Sequence, residues 1–178
     1  NTLLLDVDYF IMSDNLNFVW DMPNDFLCAN EVYDVTGTGS FDQDRMLSKN
    51  SFSMRWATAV YFKKTNFSKQ VFALMAEIKD NYRYYSYLFN FRSKPYRNDF
   101  ALSIALQLLT GYQERTHHFR FPLASLSTIE KILDVRKDGT IVFEYVYNSK
   151  KYVGKTKGLD LHIMNKKQVF DVYEKLER

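Results

Sequence analysis

The sequence predicts an α/β fold: a mixed sheet with flanking helices, followed by an antiparallel meander and a terminal helix. Short apolar or β-branched runs alternate with segments of helical period through the first two thirds of the chain. Past residue 130 the pattern changes to alternating apolar and polar residues, interrupted by two-residue turn signals. Composition agrees. Of 178 residues 46% are hydrophobic, with only 6 Gly and 3 Pro, which suits one packed core and not a disordered chain.

Taken in order, residues 2–5 (TLLL) read as a strand apolar on both faces, suited to the middle of a covered sheet. Phe26 to Tyr33 is a second strand. The stretch DVTGTGSFDQDRMLSKNS that follows lacks periodicity and reads as a long loop. RWATAVYF (55–62), rich in small, β-branched and aromatic residues, is a third strand. Asn66 or Ser68 is placed to cap a long helix in which Val71, Phe72, Met75 and Ile78 recur at helical spacing. Its aromatic end, NYRYYSYLF, implies packing against something large, or stacking on sugar rings. After Pro95 a second helix turns Leu102, Ala105, Leu106 and Leu109 inward and stops at Gly111. In the last third, Asp138-Gly139 and Asn148-Ser149 supply the meander's turns. Asn165 then caps a helix whose Val169, Phe170, Tyr173 and Leu176 form one apolar stripe.

Charge and cysteine usage narrow the class. The formal net charge is +3, with Lys63-Lys64 and Lys150-Lys151 reading as solvated strand ends, short of a nucleic-acid track. A single cysteine, Cys28, permits no internal disulfide and no zinc knuckle. It reads as an inert core thiol in a reducing cytosol. No window approaches the roughly 18 apolar residues of a membrane span, and no basic-then-apolar leader opens the chain. With no repeat and no linker, the expectation is a single cytoplasmic domain over residues 1–178.

The residues that carry chemistry are at the first strand's end. Leu3-Leu4-Leu5 stops on Asp6 and Asp8. Ligands of open α/β sheets bind just beyond the carboxyl ends of strands, and two carboxylates there suit Mg²⁺ or Mn²⁺ with an open side for a diphosphate. The same acids can also close a turn and face water.

LLLDVDYFIMSDNL resembles the Asp-x-Asp region of sugar-nucleotide-dependent glycosyltransferases of the GT-A fold, a Rossmann-related architecture. RWATAVYFKKTNFSKQVFALM looks like that family's cleft strand and helix, and YRNDFALSIAL like its segment where an acid opens a helix beside the donor sugar. LHIMNK looks like the late strand whose histidine joins the two aspartates in the glycogenin-like retaining branch. The nearest likeness is to glycosyltransferase-like proteins of tailed bacteriophages, which would place the protein in the host cytoplasm. The resemblance implies that Asp6, Asp8 and His162 hold Mn²⁺ or Mg²⁺, and that Asp99, with Asn98 beside it, contacts the transferred sugar. Lys166, with Asp8, would meet the diphosphate of a UDP-sugar. A neutral His162 is required, so binding should weaken toward acid pH.

Each residue has an ordinary structural role as well: His162 packs among apolar neighbours, Asn98-Asp99 caps its helix, and Lys166 is solvated. Ala57-Thr58-Ala59 departs from the family's Asn-Ala-Gly type of sequence on the cleft strand. The family's strands that hold the nucleotide base normally precede Asp-x-Asp, so the chain reads as the C-terminal part of a longer GT-A-type domain. The acceptor classes are a glycan, a protein or a modified DNA base, with His117-His118 as either a surface pair or an acceptor contact. The alternatives are a non-catalytic structural or binding phage component on a decayed transferase scaffold and, more remotely, half of a two-metal polymerase-type site.

Overall fold

The structure, a computed structural model, describes residues 1–34, 46–48, 51–91, 94–113, 118–127 and 129–177. Most of the long loop expected at 34–51, and His117, lie outside the described residues. The fold is mixed α/β. In chain order come strands β1 (Thr2–Leu5) and β2 (Tyr9–Phe10), a 3-10 turn (Asn15–Asp21), and strands β3 (Phe26–Asp34) and β4 (Trp56–Phe62). Helices α1 (Asn66–Asp80), α2 (Tyr82–Leu88) and α3 (Asn98–Leu109) follow. Then come strands β5 (His118–Leu126), β6 (Lys131–Val135), β7 (Thr140–Tyr147), β8 (Lys150–Lys157) and β9 (Asp160–Ile163), and helix α4 (Lys166–Glu177). Among the described residues no helix is long and apolar enough to cross a membrane.

These elements form two compact units, the first made of Asn1–Asp6, Val19–Glu31 and Ser40–Arg120, the second of Val7–Phe18, Val32–Gly39 and Phe121–Arg178. In the first, β4 lies between β1 and β3, antiparallel to both, with a bulge at Cys28/Ala29. Its core joins Cys28 and Val60 to Val71, Ile78, Phe100, Ile104 and Leu106. Three expectations change here. Among the described residues β1 pairs with β4 alone and Leu4 is 51% exposed, so the apolar run is an edge and not a covered middle strand. The cap of α1 is Thr65, whose side chain accepts from Ser68 N, a shift of one residue from Asn66. The aromatic stretch leaves α1 at Asn81 and forms α2, burying Tyr85 but exposing Tyr84, Tyr87 and Leu88. Helix α3 is buried from Phe100 to Gln107, more than one stripe, and Gly111 follows it at φ +63°.

In the second unit β9 runs parallel to β5 and antiparallel to β2, pairing Ser125 and Tyr9 with His162. The meander β6-β7-β8 forms as its turn residues require. Asn148 and Ser149 both take positive φ, a two-residue hairpin of the primed type, and Gly139 sits at φ +77°. Helix α4 is capped by Asn165 as expected, its Oδ1 accepting from Lys167 N at 3.2 Å. Val169 and Leu176 of the expected stripe pack against the unit's core, but the buried face is turned away from the other two. Gln168 and Val172 are buried while Phe170 and Tyr173 are 74% and 57% exposed. Gln168 earns its place by hydrogen bonds that hold the β6 entry, donating to Glu130 O and accepting from Ile132 N.

Candidate metal centre

Asp6 follows β1 directly. Its N–H donates to Thr58 O at 3.0 Å, one further rung of the β1–β4 ladder, which fixes where the chain leaves the sheet. The exposed Asp6 lines a cavity of about 280 Å³ together with Ala57, Tyr96, Arg97, Asn98 and Asp99. Asp99 sits in the first turn of α3, where the helix dipole favours a carboxylate. It is held from two sides: Oδ1 accepts from Ala57 N at 2.7 Å, and Oδ2 from Arg97 at 3.0 and 2.5 Å. Asn98 Oδ1 accepts from Tyr96 OH at 3.1 Å. The residue in the N-cap position is Arg97, and neither Asn98 nor Asp99 caps the helix. The first unit therefore brings Asp6, Asn98 and Asp99 to one cavity.

The second unit assembles the other predicted residues. Ile163 N donates to Asp8 O at 3.0 Å and Tyr9 stands opposite His162, so backbone pairing sets Asp8 beside His162. The Asp8 side chain is 5% exposed. Its Oδ1 lies 3.6 Å from His162 Nε2, and its Oδ2 accepts from Lys166 Nζ. Lys166 opens α4, and its side chain, 69% exposed, reaches from solvent to a buried acid. On the other side of the ring, Ser125 Oγ is 3.1 Å from His162 Nδ1.

Asp6, in the first unit, is two residues before Asp8 in the chain. Within the second unit, the Asp8 carboxylate and the His162 imidazole are ligands that suit a hard-to-borderline divalent ion such as Mn²⁺. Ligand atoms about 2.1 Å from one ion at right angles are about 3 Å apart, so the 3.6 Å between Asp8 and His162 needs little closure. Ser125 accepting from Nδ1–H would leave the Nε2 lone pair for the ion, the usual outer partner of a ligating histidine.

No family model, no curated protein and no solved structure matches this chain.

Sequence reasoning missed three residues. Ser125 and Arg97 act on His162 and Asp99 across space and carry no local signal. Asp160 is fully buried, and accepts from Tyr9 OH, Met12 N, Ser13 N and Ser13 Oγ at 2.8–3.0 Å. It anchors the chain just past β2, and burial together with this carboxylate pushes the Tyr9 phenol far above its ordinary pKa. A buried acid at the start of a strand is visible only once the strand's surroundings are known.

Proposed function

We propose that the chain is a metal-dependent glycosyltransferase of the GT-A type, moving a sugar from a nucleotide diphosphate, a UDP-sugar, to an acceptor. The observation that carries this reading is the buried Asp8 carboxylate against His162 Nε2, with Asp6 tethered two residues away. Asp6, Asp8 and His162 hold Mn²⁺ or Mg²⁺, which when bound offsets the charge gathering on the departing diphosphate. Lys166 exchanges its contact with Asp8 for the diphosphate. Asp99, fixed by Ala57 N and Arg97, presents negative potential to the sugar as positive charge develops at its anomeric carbon, and Asn98 beside it hydrogen-bonds sugar hydroxyls.

One observation favours a rival. Lys166 balances Asp8 and Arg97 balances Asp99 with no ligand needed, as a non-catalytic scaffold would require. Calorimetry of UDP with and without Mn²⁺, on the chain and its Asp8→Asn variant, separates the two. Metal-dependent UDP binding that disappears in the variant is the expected result. A folded protein that binds neither ion nor UDP would sink the transferase reading in favour of the scaffold.

A further inference from the structure

We infer a binding surface for single-stranded nucleic acid on the β7–β8 hairpin of the second unit. β8 is the outer strand of its three-stranded sheet. Four of its eight residues are lysine and none is acidic. In sequence Lys150-Lys151 reads as a solvated strand end, but strand pairing sets it among tyrosines. Tyr147 lies opposite Lys150, and Tyr145 opposite Tyr152.

The tyrosines share one face. Side chains alternate along a strand, so Tyr145, Tyr147, Lys150 and Tyr152 stand on the same side of the hairpin. Tyr145 and Tyr152 stack, with ring centroids 5.6 Å apart and planes 26° apart. Gly154 permits this. A Cβ there would lie 2.9 Å from the Phe143 ring and 3.3 Å from that of Tyr145, so its absence lets both rings lean over β8. Phe143 belongs to the unit's core and Tyr145 packs against it, but toward the turn the face leaves the core. Tyr152 is 42% exposed although Tyr145 covers one side of its ring, and Tyr147 is 58% exposed.

Charge and aromatics together separate this edge from a merely protected one. Lysines on an outer strand discourage pairing with other chains. Exposed Tyr147, Tyr152 and Val153 on the same hairpin work against that role. Lys151 and Lys157 are balanced by Glu144 and Asp138, at 2.8 and 3.0 Å. Lys150 and Lys155 have no acidic partner among the described residues. These two project from opposite faces of β8, and their long flexible stems bring both ammonium groups to its open edge. A ligand lying along that edge meets flat aromatic rings and two uncompensated cations. Unpaired bases joined by phosphates complement both features. A duplex has its bases already stacked on one another, and an acidic peptide would leave the tyrosines unused.

The inference is independent of the metal centre and is tested on the full chain in EDTA. Fluorescence anisotropy at low salt should show labelled oligothymidylate binding about fivefold or more tightly than an abasic phosphodiester strand of equal length. Tyr147→Ala, at an exposed position beside the turn, should weaken oligothymidylate about fivefold or more, the contribution of one stacked base, and leave the abasic strand unaffected. Tyr147→Phe should bind as the parent does. Lys150→Gln combined with Lys155→Gln should weaken both strands and reduce the slope of log affinity against log salt by about 1.4, two contacts at about 0.7 each. The inference is overturned if oligothymidylate fails to bind, if the abasic strand or a duplex binds equally well, or if folded Tyr147→Ala and the double lysine variant bind like the parent. A dimer of the free chain that Tyr147→Ala dissociates would equally overturn it, by giving the edge to a second copy.

Discussion

Replacing Lys166 by Met removes the ammonium that Asp8 holds, and two effects of opposite sign follow. The Asp8 side chain is 5% exposed while that of Lys166 is 69% exposed, so the pair is buried on one side only. A charge-assisted hydrogen bond to a buried acid contributes about 1.5–3 kcal/mol, and exposure of the lysine reduces this to about 1–2 kcal/mol. A divalent ion on Asp8 must first displace that ammonium. Met at 166 should therefore tighten Mn²⁺ binding, measured alone by calorimetry, about 5- to 30-fold at 1.4 kcal/mol per decade. The metal-free variant should at the same time melt below the parent, because Asp8 keeps its burial and loses its cation. Added Mn²⁺ should raise the variant's melting temperature more than the parent's. In the presence of UDP the order should reverse, the variant losing the cation that meets the diphosphate. Equal or weaker Mn²⁺ binding by the Met variant would refute the reasoning, since Lys166 would then not compete with the ion.

Three further outcomes follow from geometry elsewhere in the molecule. Asp160→Ala strips a buried acceptor from Tyr9, Met12 and Ser13 and should cost about 3 kcal/mol or more in urea unfolding, and a loss under 1 kcal/mol would contradict the account. Gly154→Ala would set a Cβ 2.9 Å from the ring of Phe143, itself only 3% exposed. Overpacking of about 1–3 kcal/mol, set against the smaller gain from restricting the unfolded chain, gives an expected net loss of about 1–2 kcal/mol. Asp138 is held at about 2 by hydrogen bonds from Lys157 and Thr140. A depressed carboxyl stabilises the fold fully above the ordinary aspartate value of about 3.9 and loses that contribution as pH falls toward 2. Asp138→Asn should accordingly flatten the pH dependence of the melting temperature between about pH 4 and 2, and an unchanged slope would contradict this origin.

Some of this structure is written in short stretches of sequence. Asn148-Ser149 and Asp138-Gly139 form turns because the needed positive φ is a property of those residues and not of their neighbours. Gly111 ends α3 and Asn165 caps α4 for the same local reasons. That Asp6 and Asp8 stand two residues apart is likewise read directly from the chain. A hydrophobic period, in contrast, says that a helix has an apolar side without saying what covers it. Val169 and Leu176 pack against the core as the stripe expected in α4 requires, yet Phe170 and Tyr173 face out and Gln168 and Val172 are the buried pair, because α4 also satisfies the backbone around β6 through Gln168. Leu3 to Leu5 looks like a covered strand, but exposure depends on which strands lie alongside, and β4 is the one found there among the described residues.

The candidate residues divide along the same line. The groups themselves could be named from the chain: Asp6, Asp8, Asn98, Asp99, His162 and Lys166. What surrounds them could not. Ser125 reaches His162 from a parallel strand 37 residues away, Arg97 and Ala57 N together fix Asp99, and Lys166 crosses 158 residues to neutralise Asp8. Sequence fixes which groups can ionise, ligate or turn, because those are properties of single residues and their nearest neighbours. Tertiary structure decides which of those groups lose water and what charge faces them. Burial and pairing depend on atoms brought together from distant parts of the chain, and it is they that make Asp8 a buried acid facing Lys166.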